Sequence, residues 1–173
     1  MEGCILKTPE EADPDQHPAL FLRQAHFSFR KPKEAQGVAN FIANACPNPR
    51  LAIVGITEIF MNAIEHGNLA ISYDEKTDLQ DWFLEIEKRL DLPENRHKTV
   101  EVEFIKTEAE LQITVTDQGK GFNWRQYQNL DDRQIYATHG RGIALAKNIL
   151  FSRIEYSEKG NQVICTIPLK PSF

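Results

Sequence analysis

The sequence predicts an α+β protein, a two-layer α/β sandwich in which helices cover one face of a mixed, largely antiparallel sheet. Three observations point there. Strand-like segments come in adjacent pairs joined by short turns, which is how antiparallel neighbours are connected. Three helical runs fall together between the first strand and the first hairpin, so helices collect on one side of the sheet. The chain has 173 residues, 41% of them hydrophobic, which suits one domain with a substantial core and excludes a disordered chain.

Residues 1–24 are rich in Pro, Glu and Asp and carry no period. They read as a flexible leader, with the domain over 25–173. HFSFR (26–30) alternates and reads as a strand. Lys33 to Ala45 reads as a helix that starts after Pro32 and stops at the PNP of 47–49. Arg50 to His66 is a second helix, apolar almost all round, which implies burial, and Gly67 and Asn68 suit its C-terminus. A third helix, about Lys76 to Leu90, sits in a helical insertion at about 70–98. Leu79, Trp82, Phe83, Ile86 and Leu90 recur on it at helical spacing. Such a stripe is expected to cover apolar surface, by preference on its own domain.

TVEVEFIK (99–106) and ELQITVTD (110–117) alternate around TEA and form a hairpin. A glycine loop, DQGKGF, follows. Residues 123–138 are polar and weakly patterned. HGRG opens a helix over Gly142 to Leu150. RIEYSE and QVICTIPL are the last two strands, joined by KGN.

Composition excludes several functions. The net charge is −5, and Arg30, Lys31 and Lys33 read as a solvated turn, so no nucleic acid is expected as partner. The apolar run LAIVGI is too short to span a bilayer, the N-terminus does not resemble a secretory signal, and a cytoplasmic protein is expected. Cys4, Cys46 and Cys165 lack metal-ligand spacing and read as small apolar fillers in a reducing compartment.

Three features carry chemistry. Glu58, Asn62 and Glu65 are polar residues within LAIVGITEIFMNAIEHGN, and spacings of four and three place them on one helical face. This is either an exposed polar stripe or a site; the apolar surroundings favour a site, because unpartnered polar groups are costly to bury. Next, DQGKG at 117–121 follows a strand directly: two glycines allow a close backbone approach, and Asp117 offers an acceptor to an exocyclic amine. It is either a ligand loop or a simple turn. Last, HGRG at 139–142 presents Gly140 and Gly142 at a helix N-terminus, a natural anion site or a glycine hinge.

In this order the three features resemble the GHKL ATPase superfamily over roughly residues 26–169. Within it, EIFMNAIEHGN, HFSFRKPKEAQGVANFIA, HGRGIALAK and IEYSEKGNQV are similar to the anti-sigma-factor serine kinases and to kinase-like modules of bacterial partner-switching proteins. The resemblance implies the Bergerat ATP-binding fold, with ATP and Mg²⁺ as cofactors. It implies Glu58 as general base and Asn62 as the Mg²⁺ ligand. It puts Asp117 on the adenine amine, with Gly119 and Gly121 shaping that pocket. Gly140, Arg141 and Gly142 would lie along the phosphates, and 123–138 would form a lid over Trp124. His66 either lines the site or answers the helix dipole; His139 either touches phosphate or hinges the lid. Many relatives carry Thr where KGN places Asn161, which can also hydrogen-bond. The implied function is a protein-serine kinase and anti-sigma-like regulator acting on a STAS-type anti-anti-sigma protein, with a sigma factor or response regulator as second partner. It would work as a monomer or homodimer. Two alternatives stand beside it: a module that binds ATP and partners without phosphotransfer, and a histidine-kinase catalytic domain. The latter needs a helical dimerisation segment that the irregular leader does not provide.

Overall fold

The computed structural model of the protein describes residues 18–72, 75, 81–123 and 150–169. Helix α1 (Pro18–Phe21) is followed by β1 (Gln24–Phe29), α2 (Pro32–Ala43) and α3 (Pro49–Asn62). A π-helical turn (Ala63–Asn68) continues α3. Then come α4 (Trp82–Asp91), the hairpin β2 (Val100–Lys106) and β3 (Glu110–Thr116), and the pair β4 (Arg153–Tyr156) and β5 (Gln162–Pro168). Among the described residues five strands form one sheet in the order β1-β2-β3-β5-β4, with each of these pairings antiparallel. The helices-plus-antiparallel-sheet architecture that the hairpin pattern predicts is present.

Local chemistry sets the helix starts. Pro32 occupies the first turn of α2, where a missing N–H costs nothing. The Glu34 carboxylate accepts the free N–H groups of Arg30 and Lys31 at 2.9 and 3.0 Å. PNP both separates α2 from α3 and starts α3: the Asn48 side chain accepts the Leu51 N–H at 3.1 Å, and Pro49 takes the first helical position.

The core lies between the helices and one face of the sheet. Period two sends Phe29, then Val100, Val102 and Phe104, then Leu111, Ile113 and Val115, then Val163, Cys165 and Ile167 to that face, all buried. Against them pack Ala35, Ala39, Ile42 and Ala43 of α2 and Ala52, Ile56, Ile59 and Phe60 of α3. Phe29 and Phe60 meet with ring centroids 5.1 Å apart. Burial is confined to one side of α3, since Val54 is 48% exposed; the helix is amphipathic by position although apolar by composition. Gln24, His26, Ser28 and Glu103 line the opposite, polar face of the sheet, where the Ser28 hydroxyl donates to Glu101 at 2.7 Å.

The same inward row ends in a charged residue on either side: Lys106, the last residue of β2, and Asp117, just past β3. At one end Lys106 follows Phe104, and its ammonium donates to the Leu20 carbonyl of α1 at 2.8 Å. Burial there holds the Lys106 pKa below its ordinary value. At the other end Asp117 follows Val115. Residues 1–17 of the expected leader lie outside the described residues, and Pro18–Phe21 forms a helical turn with Ala19 buried.

Helix α4 corrects the expected apolar stripe. Ile86 and Leu90 are buried and Trp82 packs against the core, but Phe83 is 71% exposed. Residues 82, 86 and 90 repeat every four positions along one face, and Phe83 stands at the edge of that face in the first turn of the helix. Leu79 lies outside the described residues. Cys46 and Cys165 are buried thiols, pushed up to about 12 chiefly by that burial; Cys4 lies outside the described residues.

Gly37 sits in the middle of α2, exposed, and an added Cβ would meet nothing within 4 Å. Gly37→Ala is expected to raise stability by about 0.5–1 kcal/mol through backbone entropy alone. Urea unfolding of both proteins measures it; a lower midpoint would show that α2 is not the open helix described.

Candidate functional site

Helix α3 does not end where its α-helical hydrogen bonds end. From Ala63 the chain widens into a π turn, in which the Leu69 N–H reaches the Ile64 carbonyl at 2.9 Å. Single π turns inside helices often occur at functional positions. Glu58 and Asn62 are half-buried, four residues apart on α3. Glu65 does not share their setting. It is 1% exposed, and it accepts the Trp82 indole N–H of α4 at 2.9 Å. His66 Nδ1 pairs with the Ile71 carbonyl. A carbonyl only accepts, so Nδ1 carries the proton.

Gly67 does not serve as a left-handed helix cap: the positive-φ glycines of the described residues are Gly121 and Gly160. It provides room. A Cβ on Gly67 would lie 2.4 Å from Asp117 Cγ and 2.7 Å from its Oδ1. A Cβ on Gly119 would lie 2.3 Å from the Gly67 carbonyl oxygen. The end of the α3 helix and the loop after β3 thus touch through two residues that lack side chains. At about 1.5 Å per residue, Asn62 lies within about 8 Å of Gly67 along the axis.

Strand pairing builds the other wall. Because β3 and β5 are antiparallel, the end of β3 lies beside the start of β5, with Thr116 opposite Gln162. The ladder extends one residue further: the Asp117 N–H donates to the Asn161 carbonyl, and Asn161 Nδ2 donates to the Asp117 carbonyl, each at 3.0 Å. The DQGKG loop and the KGN turn interlock backbone to backbone. Gly121 (φ +77°) and Gly160 (φ +79°) leave no space for a Cβ against the carbonyls of Lys159 and Phe122 respectively. The Lys159 ammonium donates to the Gly119 carbonyl at 3.1 Å.

At the centre is the Asp117 carboxylate. Oδ1 accepts the Gly119 N–H at 2.7 Å, which fixes the direction of the second oxygen. Burial pushes its pKa up to about 6, although the Gly119 N–H and the charges of Lys159 and Lys98 pull the other way. A half-desolvated carboxylate with one oxygen tied down suits a neutral donor such as an exocyclic amine.

The structure thus gathers Asp117, Gly119, Gly121 and Asn161 around one corner, with Glu58, Asn62 and His66 on the helix that runs into it. His139, Gly140, Arg141 and Gly142, all but Asn123 of the lid expected over 123–138, Trp124 included, and all but Leu150 of the helix expected over Gly142 to Leu150 lie outside the described residues. Sequence reasoning missed Gly67, Asn68, Lys98 and Lys159 as parts of this corner. The signal for Gly67 was a glycine at a helix end, which has two physical meanings, cap or close approach; contact with Asp117 decides for the second.

Among the described residues no group of three His, Cys, Asp or Glu side chains could hold a metal, and no helix is long and apolar enough to cross a membrane. The sequence profile of the histidine kinase-like ATPase domain matches residues 43–167, from the end of α2 into β5. No curated protein matches the chain.

Two outcomes follow from this corner. Gly67→Ala must displace the Asp117 side chain; about 1–3 kcal/mol of stability should be lost to overpacking, and ATP affinity should fall at least about tenfold. Calorimetric titration checks it, and unchanged affinity would remove Gly67 from the site. The second concerns pH. The Asp117 pKa is raised from 3.8 to about 6 on folding, so the native state binds the proton more tightly than the unfolded chain. Stability then falls as pH rises between about 4 and about 6 and stays lowered above that. Asp117→Asn has no such cost. Its Tm should exceed the parent's at pH 7.5, and the gap should close on acidification from pH 6 to pH 4. Parallel Tm curves over that range would contradict the buried carboxylate.

Proposed function

The chain belongs to the family of histidine kinase-like ATPase domains, with ATP as its ligand, and from that premise we propose that it is an ATP- and Mg²⁺-dependent protein-serine kinase of the partner-switching type. Its substrate would be a serine of a STAS-type anti-anti-sigma protein, and its second partner a sigma factor or response regulator, in the cytoplasm. The observation that carries this reading is the continuity of α3 with the base corner. One helix bears Glu58 and Asn62 on a common face and then, through the π turn, abuts Asp117.

The roles are those that the resemblance implies, and that placement supports them. Asp117 accepts the adenine amine, while Gly67, Gly119 and Gly121 let the walls of its corner close on one another: a Cβ there would strike Asp117, the Gly67 carbonyl and the Lys159 carbonyl. Asn62 offers a side-chain oxygen to Mg²⁺, whose remaining ligands would be phosphate and water oxygens. The ion supplies charge neutralisation on the phosphates. Glu58, one turn earlier, accepts the proton of the attacking serine hydroxyl as its oxygen bonds to the γ-phosphorus. The bond from that phosphorus to the bridging oxygen breaks, and ADP leaves with the electron pair. Placing base and metal ligand on one helix removes the need to order two separate loops against each other.

Glu58→Gln keeps size and loses basicity. It is expected to melt and bind ATP nearly as the parent does and to transfer phosphate to a STAS partner about 10²–10⁴-fold more slowly. Labelled ATP with the purified partner measures it. Transfer at the parental rate would refute the base and leave an ATP-binding docking module as the better reading.

A further inference from the structure

We propose that Asn68 is a positioning residue that sets nucleobase selectivity by holding the loop that carries Asp117. The inference rests on the reading of Asp117 as the adenine contact. Asn68 ends the π turn and is 4% exposed. Its Oδ1 accepts the backbone N–H of Gln118 at 2.7 Å, across 50 residues of sequence. Gln118 stands between Asp117 and Gly119. An N–H in a glycine loop is ordinarily left to water; here a buried side chain from another element takes it.

That bond completes a set of restraints on the carboxylate. Asn161 holds the Asp117 N–H and carbonyl from the β5 side. Gly119 holds Oδ1, and Gly67 closes the space behind Cγ. Without Asn68, the peptide between Asp117 and Gln118 keeps its partners on one side only and can rotate. The Gln118 side chain is also engaged, since its Oε1 accepts the Thr99 N–H at 2.8 Å.

Asn68 is itself held in place. Its carbonyl accepts the Lys98 ammonium at 2.8 Å, and Lys98 also donates to Asn95 Oδ1 at 2.9 Å. Asn95, 5% exposed, donates through Nδ2 to the Arg89 carbonyl of α4 at 2.9 Å. A line of hydrogen bonds therefore runs from α4 through Asn95, Lys98 and Asn68 to the loop of Asp117. On this account the α4 insertion is part of the base site although it carries none of the residues that face the base.

The test compares binding of ATP with that of inosine triphosphate, which bears a 6-oxo group in place of the amine. The parent, Asn68→Ala, Asn68→Asp and Asp117→Asn are titrated in parallel. The parent should prefer ATP. Asn68→Ala should lose about tenfold in ATP affinity and little for inosine triphosphate, so that the ratio collapses. Asn68→Asp keeps an acceptor oxygen for the Gln118 N–H and should restore the parental ratio. A general loss of stability would weaken both ligands alike and leave the ratio standing. If Asp117→Asn collapses the ratio and Asn68→Ala does not, the positioning role is wrong and the adenine contact stands. If Asp117→Asn keeps the ratio, the adenine contact is wrong and the proposal falls with it. Should Asn68→Ala fail to fold, amide exchange in the parent decides: the Gln118 N–H should be protected despite lying outside the strand ladder, and exchange at the rate of an open loop overturns the proposal.

Discussion

The contact on which the rest depends is that between Gly67 and Asp117. Two parts of the chain with different periods must end at one point. The strand row Leu111, Ile113, Val115 delivers Asp117 to the helix-covered face by alternation. The helix delivers Gly67 to the same place after passing Glu58 and Asn62. Any residue larger than glycine at 67 would put carbon inside the carboxylate. The π turn belongs to the same solution, because an extra residue per turn alters the phase at which the helix end meets the sheet. It also explains why Glu65, which sequence spacing sets beside Asn62, turns away into the interior and bonds Trp82.

Much of the fold was legible because the patterns that specify it are local. Alternation in 99–106 and 110–117 gave β2 and β3, and PNP marked the break between α2 and α3. The corner was legible only in part. Asp117, Gly119 and Gly121 stand in one loop and advertise themselves as a turn or a ligand site. Gly67 and Lys159 do not, since their roles exist only once β5 lies beside β3 and the helix end lies over both. Phe83 was misplaced for a different reason. Its angle around the axis, about 20° from that of Leu90 at about 100° per residue, fits the stripe, and only its place in the first turn, at the end of the helix, separates it from Ile86 and Leu90.

The described part of the insertion is held by polar groups as much as by its apolar face. Arg89 bonds Glu75 and Glu85 at 2.7 and 2.8 Å and reaches the carbonyls of Leu69 and Ala70. Arg30 reaches the Leu90 carbonyl at 2.8 Å from the end of β1. The carbonyls at the C-terminal end of α4 and just past the π turn are thus answered by cationic side chains, where chain ends would otherwise leave acceptors unpaired. Ile86 and Leu90 supply the apolar contact, and the charges fix its register.

The first strand has a consequence for biosynthesis. Gln24 pairs with Ile105 and Phe29 with Val100, so β1 is made long before the partner that completes it. At a translation rate of about 5–20 residues per second, it waits about 4–16 seconds, an unpaired strand with Phe27 and Phe29 on one side. Its other side is Gln24, His26 and Ser28, and the next residues are Arg30, Lys31 and Pro32. Polar alternation followed by two cations and a proline discourages a nascent strand from pairing with a neighbouring chain. The residues that end β1 and start α2 in the finished domain therefore also guard the unfinished one on the ribosome.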